Sequence, residues 1–418
     1  MTGAPDTRPL LQQRDFAALW WGQLISLLGD RLNYLALGGL LLQHTGRFAD
    51  LTQSSILLGI LGNVMLAPVL LFAPFAGPWV DRWNLRTTLI VSDLARTALV
   101  VAIPISYALT EHIGITFALV FLMFTCNVFF LPAKSAMTPE LVPPSQLLAA
   151  NTLLSIAGII ATAVGALLGG WIVDHWGWST AMWIDAVTYL VSVGTLALIR
   201  YQGKPRESLP SVTLRSYLRE IGEGVQIVRR SAAVGLALTA LAAIWLGGGF
   251  LHVAGNQHIQ NAASLPGMER IGILMAVLGL GAALGTWWVN TQGRRVARPL
   301  LLGFGLVMTS VWMLGFAMSS LFAVFALAGF LIGVCIAPTF VLTETLLQEG
   351  TEVHQRGRVF AMRDFAMRLA FQVAILIAAF LTPLLGTPST MVVAAGVIAV
   401  AGVLSLAWGR RFPELMRS

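Results

Sequence analysis

Apolar residues run along this chain in long, nearly unbroken blocks. They recur neither at the period of an amphipathic helix nor at that of a strand. ILLGILGNVMLAPVLLFAPFA (56–76) is one such block. Helices of about 20 apolar residues cross a hydrocarbon core of about 30 Å, and blocks of that length predict membrane spans. The pattern predicts twelve, near 16–43, 52–76, 86–108, 114–132, 147–173, 178–200, 232–255, 268–290, 299–318, 320–345, 359–384 and 388–409. One sizeable polar interruption divides them, at 201–231. There Leu214, Leu218, Ile221, Val225 and Val228 recur at steps of four and three, which predicts a helix lying along the membrane surface.

Composition agrees. Charged residues make up 11% of the 418 and hydrophobic residues 57%, against roughly 25% charged in an ordinary soluble domain. The net charge of +7 does not call for a nucleic-acid partner, because its location explains it. Alternate loops carry Arg82, Arg86, Lys134, Arg200, Arg219, Arg298 and Arg358, whereas the opposite loops hold Arg47 and Arg270. Positive loops stay in the cytoplasm, so both termini are expected there. The start, MTGAPDTRPLLQQRDF, lacks a short apolar core with a cleavage site, and the first span is expected to be retained. Cys126 and Cys335 fall inside apolar runs and predict no disulfide framework.

Six spans, a basic connector and six more divide the chain into 1–200, 201–231 and 232–418. NVFFLPAKSAMTPEL around Pro132 echoes GVCIAPTFVLTETLL around Pro338, half a chain later, and each is expected to close a span. Duplicated halves are a common plan in secondary transporters.

Charge is scarce, so its position inside spans is informative. Asp30 and Arg31 stand midway along span one, near Asn33 and Tyr34. With Glu344 they are candidates for proton coupling or substrate contact, Asp30 for a proton or a cationic substrate group. Asp93 and Arg96 are one helical turn apart on span three and are expected to pair. Arg363, Asp364 and Arg368 open span eleven, and Glu344 ends span ten. His252 and His258, with Asn256, Gln257 and Gln260, decorate the outer end of span seven and read as a wet vestibule. No grouping has metal-ligand spacing, and no nucleophile–base pair or phosphate loop points to an enzyme.

Between spans two and three lies GPWVDRWNLRT (77–87), an unusual concentration of charge around Gly77 and Pro78. Gly77 is expected to let two helices approach, and Asp81 to accept from a helix N-terminus. Arg82 and Arg86 are expected to pair with Asp81 or with lipid phosphate. Together with Asp93, Arg96, Arg363, Asp364 and Arg368, this loop is read as an inner-gate latch.

The order Gly77, Asp81, Arg82, Arg86 resembles the loop signature G-x-x-x-D-R-x-x-x-[RK] of the major facilitator superfamily, with Asn84 where that family usually has a glycine. QLISLLGDRLNYLAL, VSDLARTALV, LPAKSAMTPELVP and RGRVFAMRDFAMR resemble its macrolide-efflux and enterobactin-exporter branch of drug:proton antiporters. A likeness to the bacterial lysophospholipid transporter rests on the GD of span one and the P-A-K after span four. GALLGG, with Gly165, Gly169 and Gly170, resembles the antiporter signature G-P-x-x-G-G, Ala166 replacing the proline.

The resemblance implies an all-α membrane protein, twelve transmembrane helices in two pseudo-symmetric six-helix halves. It implies secondary transport by alternating access, here efflux of amphipathic compounds driven by a proton gradient, with no cofactor. The alternative is a lysophospholipid flippase. Partners are expected to be a small amphipathic substrate and membrane lipids, the chain a monomer, and its location the bacterial inner membrane.

Overall fold

A computed structural model describes residues 9–46, 50–200, 219, 222–226, 228, 231–262, 267–293, 296–351 and 356–411. Among the described residues twelve helices are long and apolar enough to cross a membrane. They are α1 (Arg14–His44), α2 (Leu51–Val80), α3 (Leu85–Thr110), α4 (Ile113–Leu141), α5 (Leu147–Trp176), α6 (Trp178–Leu198), α7 (Ala232–Phe250), α8 (Met268–Thr291), α9 (Arg298–Met318), α10 (Phe322–Glu349), α11 (Arg356–Leu385) and α12 (Thr387–Arg411). Among the described residues there is no strand. The expected surface helix at 201–231 lies mostly outside the described residues, as do Arg294 and Arg295.

The chain forms two compact units, Met1–Leu40 with Val64–Thr213, and Leu41–Asn63 with Leu214–Ser418. In the first, α3 packs on α4 and α6, and α5 on α6. Leu19, Leu89, Phe130, Met137 and Leu196 form one buried apolar cluster there. Phe16, Trp20, Leu24, Ala157 and Ala161 form another. The Trp20 indole donates to Leu153 O at 2.8 Å, so a polar edge buried in an apolar cluster is satisfied.

In the second unit α8 packs on α10 and α9 on α12. Small residues make this possible, since helices in lipid associate by close van der Waals fit. A Cβ on Gly281 would stand 2.1 Å from Phe330 O, and one on Gly333 would stand 2.2 Å from Leu278 O. Neither position has room for any side chain.

Three spans end elsewhere than the sequence reading placed them. Pro132 and Pro338 do not close spans: α4 runs on to Leu141 and α10 to Glu349, with both prolines inside. Neighbouring helices support such interruptions in membranes. The seventh span is also longer than expected. Beyond α7 a π-helical turn, Leu251–Gly255, leads into a further stretch, Asn256–Ala262.

The polar outer end of that span is not a wet vestibule. Gln257, His258 and Gln260 are buried. Ser55 Oγ donates to Gln257 Oε1 at 2.9 Å, and Gln257 Nε2 donates to Leu51 O at 3.3 Å. His258 sits 3.0 Å from Ser319 O and 3.3 Å from Thr387 Oγ1, and Gln260 clasps Gly267 through both amide atoms. These polar residues are internal fasteners.

Candidate functional site

The first unit holds a cluster of charge where α1, α3 and α6 meet. Small residues bring α1 close to its neighbours. A Cβ on Gly29 would fall 2.0 Å from Thr188 Oγ1 and 2.3 Å from Asp185 Oδ1 of α6. On the α5 side, a Cβ on Gly169 would stand 3.1 Å from Leu32 Cα, and one on Gly165 3.0 Å from Arg31 Cβ. Gly170 is buried as well. The GALLGG stretch therefore seats α1, and α1 carries the charges.

Arg96 is the hub. Its guanidinium bonds Asp93 Oδ1 one turn away, and its Nη1 lies 3.8 Å from Asp30 Oδ1. It also lies over the rings of Phe130 (4.4 Å) and Tyr189 (4.5 Å). The Tyr189 hydroxyl donates to Asp30 Oδ1. Asn33 Nδ2 donates to Asp185 Oδ2 at 2.9 Å, and Thr188 Oγ1 donates to Asp185 Oδ1 at 3.2 Å. Asp93 and Asp185 are both fully buried. The Asp30 side chain alone keeps substantial exposure, 34%.

That exposure opens onto a cavity of about 270 Å³. Asp30, Arg31, Asn33, Tyr34, Arg96, Asn127 and Tyr189 supply its polar lining, and Leu27, Met65, Met123 and Phe124 its apolar lining. Lys134 of α4 lies within electrostatic reach of Asp30 and Arg96. The cluster thus combines three carboxyls (Asp30, Asp93, Asp185) with three cations (Arg96, Arg31, Lys134). Among the described residues only Arg96 of these cations lies within 4.0 Å of a carboxylate.

Such an arrangement suits chemistry that exchanges charges. A buried carboxylate in apolar surroundings is stable only when paired or hydrogen-bonded. Asp93 and Asp185 have fixed donors, whereas Asp30 is held by one guanidinium at long range and one hydroxyl. It is the carboxyl an entering proton or cation can reach.

The sequence reading placed Asp30, Arg31, Asn33 and Tyr34 together, and all four line this one cavity, Asn33 also donating to Asp185. Asp93 and Arg96, assigned to the latch, join this same cluster. Asp185 and Tyr189 were missed. The signal was present, since WIDAVTYL places a lone Asp in an apolar run.

The loop at 77–87 differs from expectation in its pairings. A Cβ at Gly77 would meet nothing within 4 Å, so this glycine is not a close-packing point. Arg86 turns to the end of α6. Its Nε donates to Leu196 O at 3.1 Å and its Nη2 to Ala197 O, closing the C-terminus of α6. Asn84 replaces the family's glycine for a local reason: it is the N-cap of α3, accepting from Thr87 N at 3.1 Å. In the second unit Arg363 bonds Glu344 and Asp364, so it does not face an open loop. Arg298 bonds Glu349.

Among the described residues no group of His, Cys, Asp and Glu could hold a metal ion. Among the described residues twelve helices are apolar enough to span a membrane, and the first unit holds a small charged cavity. The model of the Major Facilitator Superfamily matches residues 19–289 and 256–415, and the chain belongs to that family. It is 25% identical over 387 residues to macrolide efflux protein A of Streptococcus pyogenes, covering 89% of this chain and 90% of that protein. It is 25% identical over 357 residues to the putative bacilysin exporter of Bacillus subtilis, covering 85% of each. Among solved structures, it matches a peptide transporter in complex with sulfate with a TM-score of 0.76 at 11% identity, covering 99% of this chain and 98% of that one. A bacterial homologue of the human lysosomal transporter Spinster, inward-facing and occupied, matches with a TM-score of 0.75 at 12% identity, covering 97% and 99%. These last likenesses show the fold.

Proposed function

We propose that this protein is a proton-coupled exporter of amphipathic compounds, working by alternating access in the bacterial inner membrane with both termini in the cytoplasm. The observation that carries the reading is Asp30, the one partly exposed carboxyl of the buried cluster, on the wall of a cavity that apolar side chains also line. Efflux proteins among the relatives support the direction of transport.

In this mechanism Asp30 alternates between a proton and its contacts with Arg96 and Tyr189. Protonation removes the attraction on the Arg96 guanidinium, which then rests on Asp93 alone. That change alters the hold of α1 on α3 and α6. A proton can bias the inward and outward states only by binding them differently, and a carboxyl shared among three helices provides such a difference. The methionines and Phe124 supply an adaptable apolar wall for varied substrates. The protein works as a monomer among lipids and needs no cofactor.

The test uses inside-out vesicles from cells producing the protein. Fluorescent amphiphiles of cationic, neutral and anionic charge are offered with respiration supplying the gradient. Accumulation that collapses with a protonophore supports the reading. Accumulation indifferent to the protonophore sinks it.

A further inference from the structure

The cluster contains a cation that no carboxylate uses. Arg96 is taken by Asp93 and Asp30, Arg86 by the α6 carbonyls, Arg363 by Glu344 and Asp364, and Arg298 by Glu349. Arg31 has no carboxylate within 4.0 Å among the described residues. It is half-buried in the middle of α1 and lines the cavity beside Tyr34. A charged side chain at membrane depth is costly and is kept where it faces water or a ligand.

The geometry points to Arg31 as the residue that holds an anionic oxo group, a carboxylate or a phosphate, of an amphiphilic substrate in this cavity. The inference rests on the reading of the cavity as the substrate site and adds the charge the substrate carries.

Three features support it. First, the Arg31 stem is fixed. Its Cβ and Cγ would lie 3.0 and 3.3 Å from a Cβ at position 165, so glycine there lets α5 press against the stem and aim the head group. A side chain held in advance loses less entropy when a ligand arrives. Second, the neighbouring acid is already engaged: Tyr189 and Arg96 hold Asp30, which leaves Arg31 as the open charge on the polar wall. Lys134 does not line the cavity. Third, the guanidinium forks toward planar anions and accepts them through two parallel bonds. Met65, Met123 and Phe124 stand ready for the apolar remainder of the same molecule.

Binding to the purified protein in detergent, with no gradient, tests this. The probes are radiolabelled N-octanoyl-phenylalanine, its methyl ester and its phosphonate analogue, which share one apolar body. Wild type should bind an anionic probe about tenfold more tightly than the ester, the scale of one good charge-assisted contact. Arg31→Gln should bind all three at the level of the ester. Arg31→Lys should recover part of the preference and reports that the α1 site still folds. Lys134→Gln should leave the preference intact. A stronger phosphonate than carboxylate signal assigns the site to phosphate-bearing amphiphiles, and the reverse assigns it to carboxylates. Equal affinity of acid and ester in wild type overturns the inference, as does a preference that survives Arg31→Gln. Because no gradient is present, failure of proton coupling leaves this result untouched, and the two ideas fall separately.

Discussion

Asn33 and Asp185 face each other across the contact of α1 with α6, Asn33 Nδ2 to Asp185 Oδ2 at 2.9 Å, both side chains buried. This bond ties the helix that carries Asp30 and Arg31 to the helix that carries Tyr189. Replacing Asn33 with Leu removes a donor from a buried carboxyl, a loss worth about 1–3 kcal/mol. The variant should unfold several degrees lower in detergent, read by intrinsic fluorescence. An unchanged midpoint would mean that the bond does not hold α1 in place.

The pair Asp93–Arg96 predicts a larger effect. Asp93→Ala leaves the buried guanidinium only its 3.8 Å contact with Asp30, and breaking such a pair costs about 3–5 kcal/mol. The single variant should reach the membrane poorly and elute as aggregate on size exclusion. The double variant Asp93→Leu/Arg96→Met replaces both charges with apolar volume, and its monodisperse yield should exceed that of Asp93→Ala. A double variant as defective as the single would contradict the account of the pair.

Gly169 makes a packing prediction. A Cβ at this position would meet the Leu32 Cα at 3.1 Å, and backbone has little freedom to give. Gly169→Ala should lower thermal stability, and Gly169→Leu should abolish folded protein. Gly77→Ala should do neither, since a Cβ there meets nothing within 4 Å. Thermal melts of the three in one detergent decide the matter.

Arg86 makes another, because its fork closes α6 by bonding two successive carbonyls, Leu196 O and Ala197 O. Hydrogen bonds from a charged group contribute about 1.5–3 kcal/mol. Arg86→Ala should lower the melting midpoint, and Arg86→Lys should recover little of it, because an ammonium lacks the planar fork. Full recovery by lysine would indicate that only the charge matters.

Much of the fold was legible in the sequence because each span must satisfy its backbone internally and be apolar along its length. That constraint writes length and hydropathy directly into the residues. Boundaries failed where it relaxes: α4 continues past Pro132 and α10 past Pro338, since packed neighbours tolerate a broken backbone bond that an isolated helix would not. Gln257 and His258 were misread for a related reason. Polar residues near a span end look solvated in one dimension, and only tertiary packing shows that Gln257 reaches Ser55 and Leu51. At the site, Asp30 and Arg31 stood out by charge alone. Both line the cavity, but only Asp30 is held by Arg96 and Tyr189, and that difference depends on helix rotation that hydropathy does not encode.

The central claim is that Asp30 carries the coupling proton. The measurement that tests it most directly compares two modes of transport by Asp30→Asn in proteoliposomes. One is exchange of labelled for unlabelled substrate without a gradient, and the other is accumulation driven by an imposed pH difference. The account predicts that the variant exchanges substrate at a rate near that of wild type and no longer accumulates it. Accumulation equal to wild type in Asp30→Asn would contradict it.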